Sequence, residues 1–93
     1  MILDTRADIV LIDVRTPREL KEGKVEGSTL IPFISILRNQ HTLPKDKAIF
    51  LICAVGGRSF AAGKILNRQG YDEVYNISGG IAAWKKAGLP VIY

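Results

Sequence analysis

Seven consecutive residues, Cys53-Ala54-Val55-Gly56-Gly57-Arg58-Ser59, combine types and spacing that could do chemistry. A thiol at the end of an apolar run, followed by a glycine-bearing loop and a helix start, sits where several backbone N–H groups can converge on its sulfur. Such a nest holds an anion. A free cysteine ionises near pH ~8.5, and a helix N-terminus with a neighbouring arginine lowers that value by roughly a unit or more. Gly56 and Gly57 permit the positive φ angles that turn successive amides inward, and they place no Cβ in the path of a substrate. Arg58 adds a permanent charge and several donors. Residue types alone leave two readings open, because a lone cysteine closing an apolar strand is also the ordinary form of an inert core residue.

Other candidates carry less. His41 stands in a polar segment between Gln40 and Thr42, which suits the surface better than general base chemistry. Trp84 falls at helical spacing with Ile81 and reads as core, and Lys85-Lys86 reads as a solvated helix end. With one cysteine and one histidine in 93 residues, an internal disulfide and an all-cysteine metal site are excluded, and His41 has no companion for a zinc cluster. Neither metal nor cofactor is expected. The 13 Lys and Arg give a net charge of +4 but form no basic run and have no aromatic residues among them, so nucleic acid is not the expected partner. That charge reads as a solvated surface favouring anionic substrates or acidic partners. No apolar run approaches the roughly 20 residues needed to cross a bilayer. The opening Met1-Ile2-Leu3-Asp4 also lacks the pattern of a secretory signal, which makes the cytoplasm the expected location and a membrane an unexpected partner.

The elements that must position the cysteine alternate between strand-like and helix-like, pointing to one α/β domain over residues 1–93. Ile9 to Ile12 is a continuous aliphatic run, the mark of a strand buried on both faces. A short helix should follow it, with Thr16 as cap, Pro17 in the first position, Glu19 completing a capping box and Gly23 as the stop. Thr29 to Pro32 reads as a brief strand, Phe33 to Leu37 as a helical turn or two, and Leu43 to Lys47 as a polar loop. Ala48 to Ile52 is a second buried strand that delivers Cys53 to its carboxyl end, where open α/β sheets place their ligands. A helix over about Arg58 to Gln69 places Ala61, Ala62, Ile65 and Leu66 on one face, with Gly70 as its stop. Glu73 to Ile77 reads as a third strand. Gly79-Gly80 then turns the chain into a helix that carries Ile81, Ala82 and Trp84 and closes at Gly88 and Pro90.

Taken in order, Leu11-Ile12-Asp13-Val14-Arg15, Pro17-x-Glu19-Leu20, Gly23, Gly27, Pro32, Cys53-x-x-Gly56-x-Arg58-Ser59, Gly70-Tyr71, Ser78-Gly79-Gly80-x-x-x-Trp84 and Ala87-Gly88-Leu89-Pro90 resemble the rhodanese homology domain. The likeness covers nearly the whole chain, and its specificity lies in the ordered set. It implies an open parallel sheet flanked by helices and a sulfurtransferase in which Cys53 takes a sulfane sulfur from thiosulfate or a persulfide and passes it to cyanide or a thiol. By the same resemblance, Ala54, Val55, Gly56, Gly57, Arg58 and Ser59 cradle the sulfur. Asp13 and Arg15 brace the floor of the site, with Glu19 as a partner for Arg15.

Departures from the family pattern sharpen these expectations. Lys24 follows Gly23 where a histidine is frequent, and Ser28 stands where alanine is common. Ala54 and Val55 occupy positions at which family members that use thiosulfate well often carry a basic residue, which points away from thiosulfate as the natural donor. The strand and most of the helix that usually precede the first buried strand look truncated. No second thiol is present to resolve a persulfide, so the acceptor must come from outside the chain. Two other classes share the fold. In related dual-specificity phosphatases and arsenate reductases the loop between cysteine and arginine is one residue longer than Ala54–Gly57, and non-catalytic binding or sensor domains often lack the cysteine that is present here.

Overall fold

Side-chain alternation along two apolar strands decides the layering. The computed structural model describes residues 9–93. In β1 (Ile9–Asp13) and β3 (Ala48–Ile52), successive side chains point to opposite faces, and both faces are apolar, so each must be covered. On one side Ile12, Val14, Ile49, Leu51 and Cys53 pack with Ile36, Ala62 and Leu66. On the other, Leu11 and Ile52 pack with Val25 and Ile81, against which Phe50, Trp84 and Val91 lean. The first face is covered by α1 (Phe33–Leu37) and α2 (Gly57–Arg68), the second by α3 (Gly80–Lys86).

The sheet is parallel throughout, in the order β2-β1-β3-β4, with β2 at Thr29–Leu30 and β4 at Val74–Asn76. From β1 the chain steps outward to β2 and then returns to lay β3 on the other side of β1. The carboxyl ends of β1 and β3 therefore flank a topological switch point, the place where open α/β sheets bind ligands. Cys53 follows the end of β3, and Arg15 lies just beyond the end of β1. The expected elements are all present, with the helix after Thr16 realised as a 3₁₀ helix over Pro17–Glu22 that stops at Gly23. Here Glu19 accepts from both the amide and the hydroxyl of Thr16, each at 3.1 Å.

Three side chains singled out above take structural positions. Trp84 donates its indole N–H to the Pro90 carbonyl at 2.8 Å, folding the tail back so that Lys24 and Ile92 form an antiparallel bridge. His41 departs from the surface role expected of it. It is half-buried, with Nε2 2.8 Å from Oε1 of Gln69, whose amide in turn donates to the Ile36 carbonyl, so the ring ties the loop after α1 to the end of α2. Ser28 is accommodated because its buried hydroxyl donates to the Val25 carbonyl at 2.7 Å. No helix among the described residues is long and apolar enough to cross a membrane. The readings of a truncated first strand and helix, and of a missing secretory signal, fall on residues 1–8, outside the described residues.

Candidate active site

Cys53 is buried, and its sulfur is met from three directions. The Gly56 amide donates to Sγ at 3.0 Å, the Ser59 amide at 3.5 Å and the Ser59 hydroxyl at 3.4 Å. Burial pushes the thiol up, but the Ser59 hydroxyl and the amides of Ser59, Gly56 and Val55 outweigh it and hold Cys53 below its ordinary value. Gly56 makes this geometry with φ +101°, a left-handed conformation that directs its amide at the sulfur from the position just before α2. Ser59 reaches the sulfur because it lies on the buried stripe of α2 with Ala62 and Leu66. Ala54 is half-buried, while Val55 and Gly57 are exposed at the rim.

The loop is held from behind by α3. The amides of Ile81 and Ala82 donate to the carbonyls of Cys53 at 2.7 Å and Ala54 at 3.1 Å, which fixes two peptide planes of the loop, the second carrying the Val55 amide that helps to hold Cys53 down. Close approach requires glycine. A Cβ on Gly80, at φ +60°, would overlap the Cys53 carbonyl oxygen and lie 2.7 Å from the Ala54 carbonyl carbon. We expect Gly80→Ala to cost roughly 3 kcal/mol or more, from backbone overlap together with a left-handed φ. Chemical denaturation measures it, and a loss below 1 kcal/mol would show that the loop and α3 are free to separate.

The charged groups form two pairs. Arg15 and Asp13 are both 1% exposed. Arg15 donates to the Asp13 carboxylate through Nε at 3.0 Å and Nη2 at 2.8 Å, to the Gly23 carbonyl at 2.8 Å and to the Glu19 carbonyl at 3.2 Å. Arg15 thus fastens the end of β1 to the middle and the carboxyl end of the 3₁₀ helix. The expected pairing of Glu19 with Arg15 is corrected on one point: Arg15 takes only the backbone carbonyl, and the Glu19 carboxylate faces Arg58. Both amino groups of Arg58 donate to it at 2.7 Å in a bidentate fork. Of the donors that Arg58 was expected to present to substrate, the fork engages two with Glu19.

This fork, joined by the Thr16 amide and hydroxyl and opposed by partial burial, holds the Glu19 carboxyl down at about 2. A carboxyl lowered in the folded state stabilises the protein above its unfolded value, and that stability is lost as pH falls from about 4.5 toward 2. The Arg58 side chain is 38% exposed, so screening limits the pair to no more than about 1 kcal/mol. Glu19→Gln should therefore lower stability slightly at neutral pH and flatten the acid limb in urea titrations. An acid limb as steep as in the parent protein would mean that the fork does not persist in solution.

Fold and cradle together define an α/β domain built around a buried cysteine whose surroundings favour the thiolate. The rhodanese-like domain family matches residues 2–87, and the chain belongs to it. A sulfurtransferase of Allochromatium vinosum is 38% identical over 85 residues, covering 91% of this chain and 79% of that protein. Among solved structures, a rhodanese-related protein from Thermoplasma volcanium superposes with a TM-score of 0.83 at 35% identity, over 91% of this chain and 84% of that one. A Rhodopseudomonas palustris protein described as a possible tyrosine phosphatase also superposes at 0.83, with 30% identity over 96% and 74% of the two chains.

Two contributors to the site were missed in the sequence. Asn76 contacts the Ser59 hydroxyl, and Gly80 admits α3 to the back of the loop. A polar residue on the inward-facing side of β4, level with Leu51 and two residues after the packed Val74, is a signal that could have exposed Asn76. The reach of Glu19 to Arg58 has no local signal.

Proposed function

We propose that this protein moves a sulfane sulfur from a persulfide donor to a thiophilic acceptor, a thiol or cyanide, through a persulfide on Cys53. The observation that carries this reading is the set of three donors on Sγ, which favours the thiolate in a chain without a second cysteine. The Cys53 thiolate attacks the outer sulfur of the donor. One S–S bond forms, the donor's S–S bond breaks, and the electron pair departs on the donor thiolate, or on sulfite if the donor is thiosulfate. The acceptor then attacks the terminal sulfur, and the pair returns to Cys53. Neither step needs a general base, and kinetics should be ping-pong. The first-turn amides of α2 at Gly57 and Arg58 lack intrahelical acceptors by position, and they are suited to the outer, anionic sulfur.

Donor choice follows from charge. Two Arg58 donors are engaged by Glu19, and neither Ala54 nor Val55 supplies a cation, so a doubly charged thiosulfate finds little compensation at the mouth. Ala54→Arg should lower the KM for thiosulfate severalfold, on the order of the 1 kcal/mol of a solvent-accessible charged contact. An unchanged KM would remove electrostatics as the selector. The four residues between Cys53 and Arg58 leave less room than a phosphoryl group needs, and hydrolysis of an aryl phosphate by the native protein would count for the phosphatase reading. The deciding experiment is intact mass spectrometry after incubation with a low-molecular-weight persulfide. A gain of one sulfur atom, lost on treatment with dithiothreitol, is expected; an unmodified Cys53 overturns the proposal.

A further inference from the structure

The Ser59 hydroxyl has one hydrogen and three acceptors within reach. Cys53 Sγ lies at 3.4 Å, the Gly56 carbonyl at 3.1 Å, and Asn76 Oδ1 is in close hydrogen-bond contact. Ser59 is fully buried, so bulk water does not settle the competition. Its outcome matters to the sulfur, because a hydroxyl that gives its hydrogen elsewhere offers the sulfur only lone pairs. Lone pairs suit a neutral S–H and oppose a thiolate or persulfide anion.

Asn76 is the side chain equipped to switch between these cases. Its amide presents an acceptor on one side and two donors on the other. With Oδ1 toward Ser59, as in the structure, the amide competes with the sulfur for the hydroxyl hydrogen. After a half-turn, Nδ2 donates to the hydroxyl oxygen and releases that hydrogen to the sulfur. Asn76 is exposed, so the turn requires no repacking of the core. The charged groups near the sulfur are Arg58 with Glu19, and Asp13 with Arg15. Among the described residues none of these four is hydrogen-bonded to Asn76 or Ser59 through its side chain.

We propose that Asn76 is a positioning residue for the sulfur chemistry, and that the orientation of its amide decides whether the Ser59 hydroxyl donates to Cys53 Sγ or withholds its hydrogen. The inference deepens the sulfur-carrier reading, and it is tested on the thiol alone. Ionisation of Cys53 is followed by thiolate ultraviolet absorbance and by the pH dependence of alkylation with iodoacetamide, in the parent protein, Asn76→Ala, Asn76→Asp, Ser59→Ala and the Ser59→Ala/Asn76→Ala pair.

Asn76→Ala should move the Cys53 midpoint downward by about half a unit or more, since it removes the acceptor that Oδ1 presents and frees the hydroxyl hydrogen for the sulfur. Asn76→Asp should move it upward, because a carboxylate only accepts and so always draws the hydroxyl hydrogen from the sulfur. In the Ser59→Ala background, Asn76→Ala should add nothing. An unmoved midpoint in Asn76→Ala, or a shift that survives in full without the Ser59 hydroxyl, overturns the proposal. A fall in thermal stability with the midpoint unmoved identifies a purely structural role and also overturns it. Failure of the parent protein to gain sulfur, with the ionisation cycle intact, would count against the sulfur-carrier reading alone.

Discussion

Cys53→Ser is expected to lower sulfur transfer by at least about a thousandfold while leaving the fold intact. The serine hydroxyl is close in shape and can still accept from the Gly56 and Ser59 amides, so the buried donors that surround Sγ keep a partner. It does not ionise near neutral pH and cannot store sulfur as a persulfide. Denaturation should report a stability within about 1 kcal/mol of the parent. The decisive comparison is turnover with a persulfide donor and cyanide, read as thiocyanate. If the serine variant keeps more than about one hundredth of the parent rate, the sulfur is not carried on Cys53 and the covalent scheme fails.

The largest stability effect should come from Asp13→Ala. With the carboxylate gone, the Arg15 guanidinium stays in a site that is 1% exposed, and it retains only the Gly23 and Glu19 carbonyls as acceptors. An unpaired buried charge of this kind costs about 3–5 kcal/mol. For a domain of this size that corresponds to a fall in Tm on the order of 20 °C. The cause can be separated from simple truncation by Asp13→Leu combined with Arg15→Met. Removing both charges should recover much of the loss, because the penalty belongs to the lone ion. A fall of less than 1 kcal/mol in Asp13→Ala would show that water reaches Arg15 and that the pair is not a brace.

Much of this organisation was legible in the sequence, for reasons that are local. The runs Ile9–Ile12 and Ala48–Ile52 mark buried parallel strands because both of their faces are apolar, and the position of Cys53 after the second run places it at the switch point. Thr16, Pro17 and Gly23 bounded the 3₁₀ helix through capping and φ preferences that act within a few residues. The partners of Glu19, Ser59 and Gly80 were not legible, because each is supplied by a segment distant in sequence and brought near only by the sheet order. The Glu19–Arg15 contact shows the limit. Two residues four apart were in reach of each other, and Arg15 does touch Glu19, but the carboxylate is claimed by a better donor fork 39 residues away.

The grip of α3 on the carbonyls of Cys53 and Ala54 bears on when the surroundings of the Cys53 thiol form during synthesis. The loop and the helix that fixes it are separated by the whole of α2 and β4, so the cradle is a non-local structure whose closure waits on the last quarter of the chain. A nascent chain ending before Gly80 has its cysteine and the amides around it, but nothing to hold their peptide planes in register. Its thiol should titrate like that of an unstructured peptide and react slowly with oxidants and electrophiles. Reactivity would then appear only with the completed fold, which protects the cysteine while the chain is still partly made.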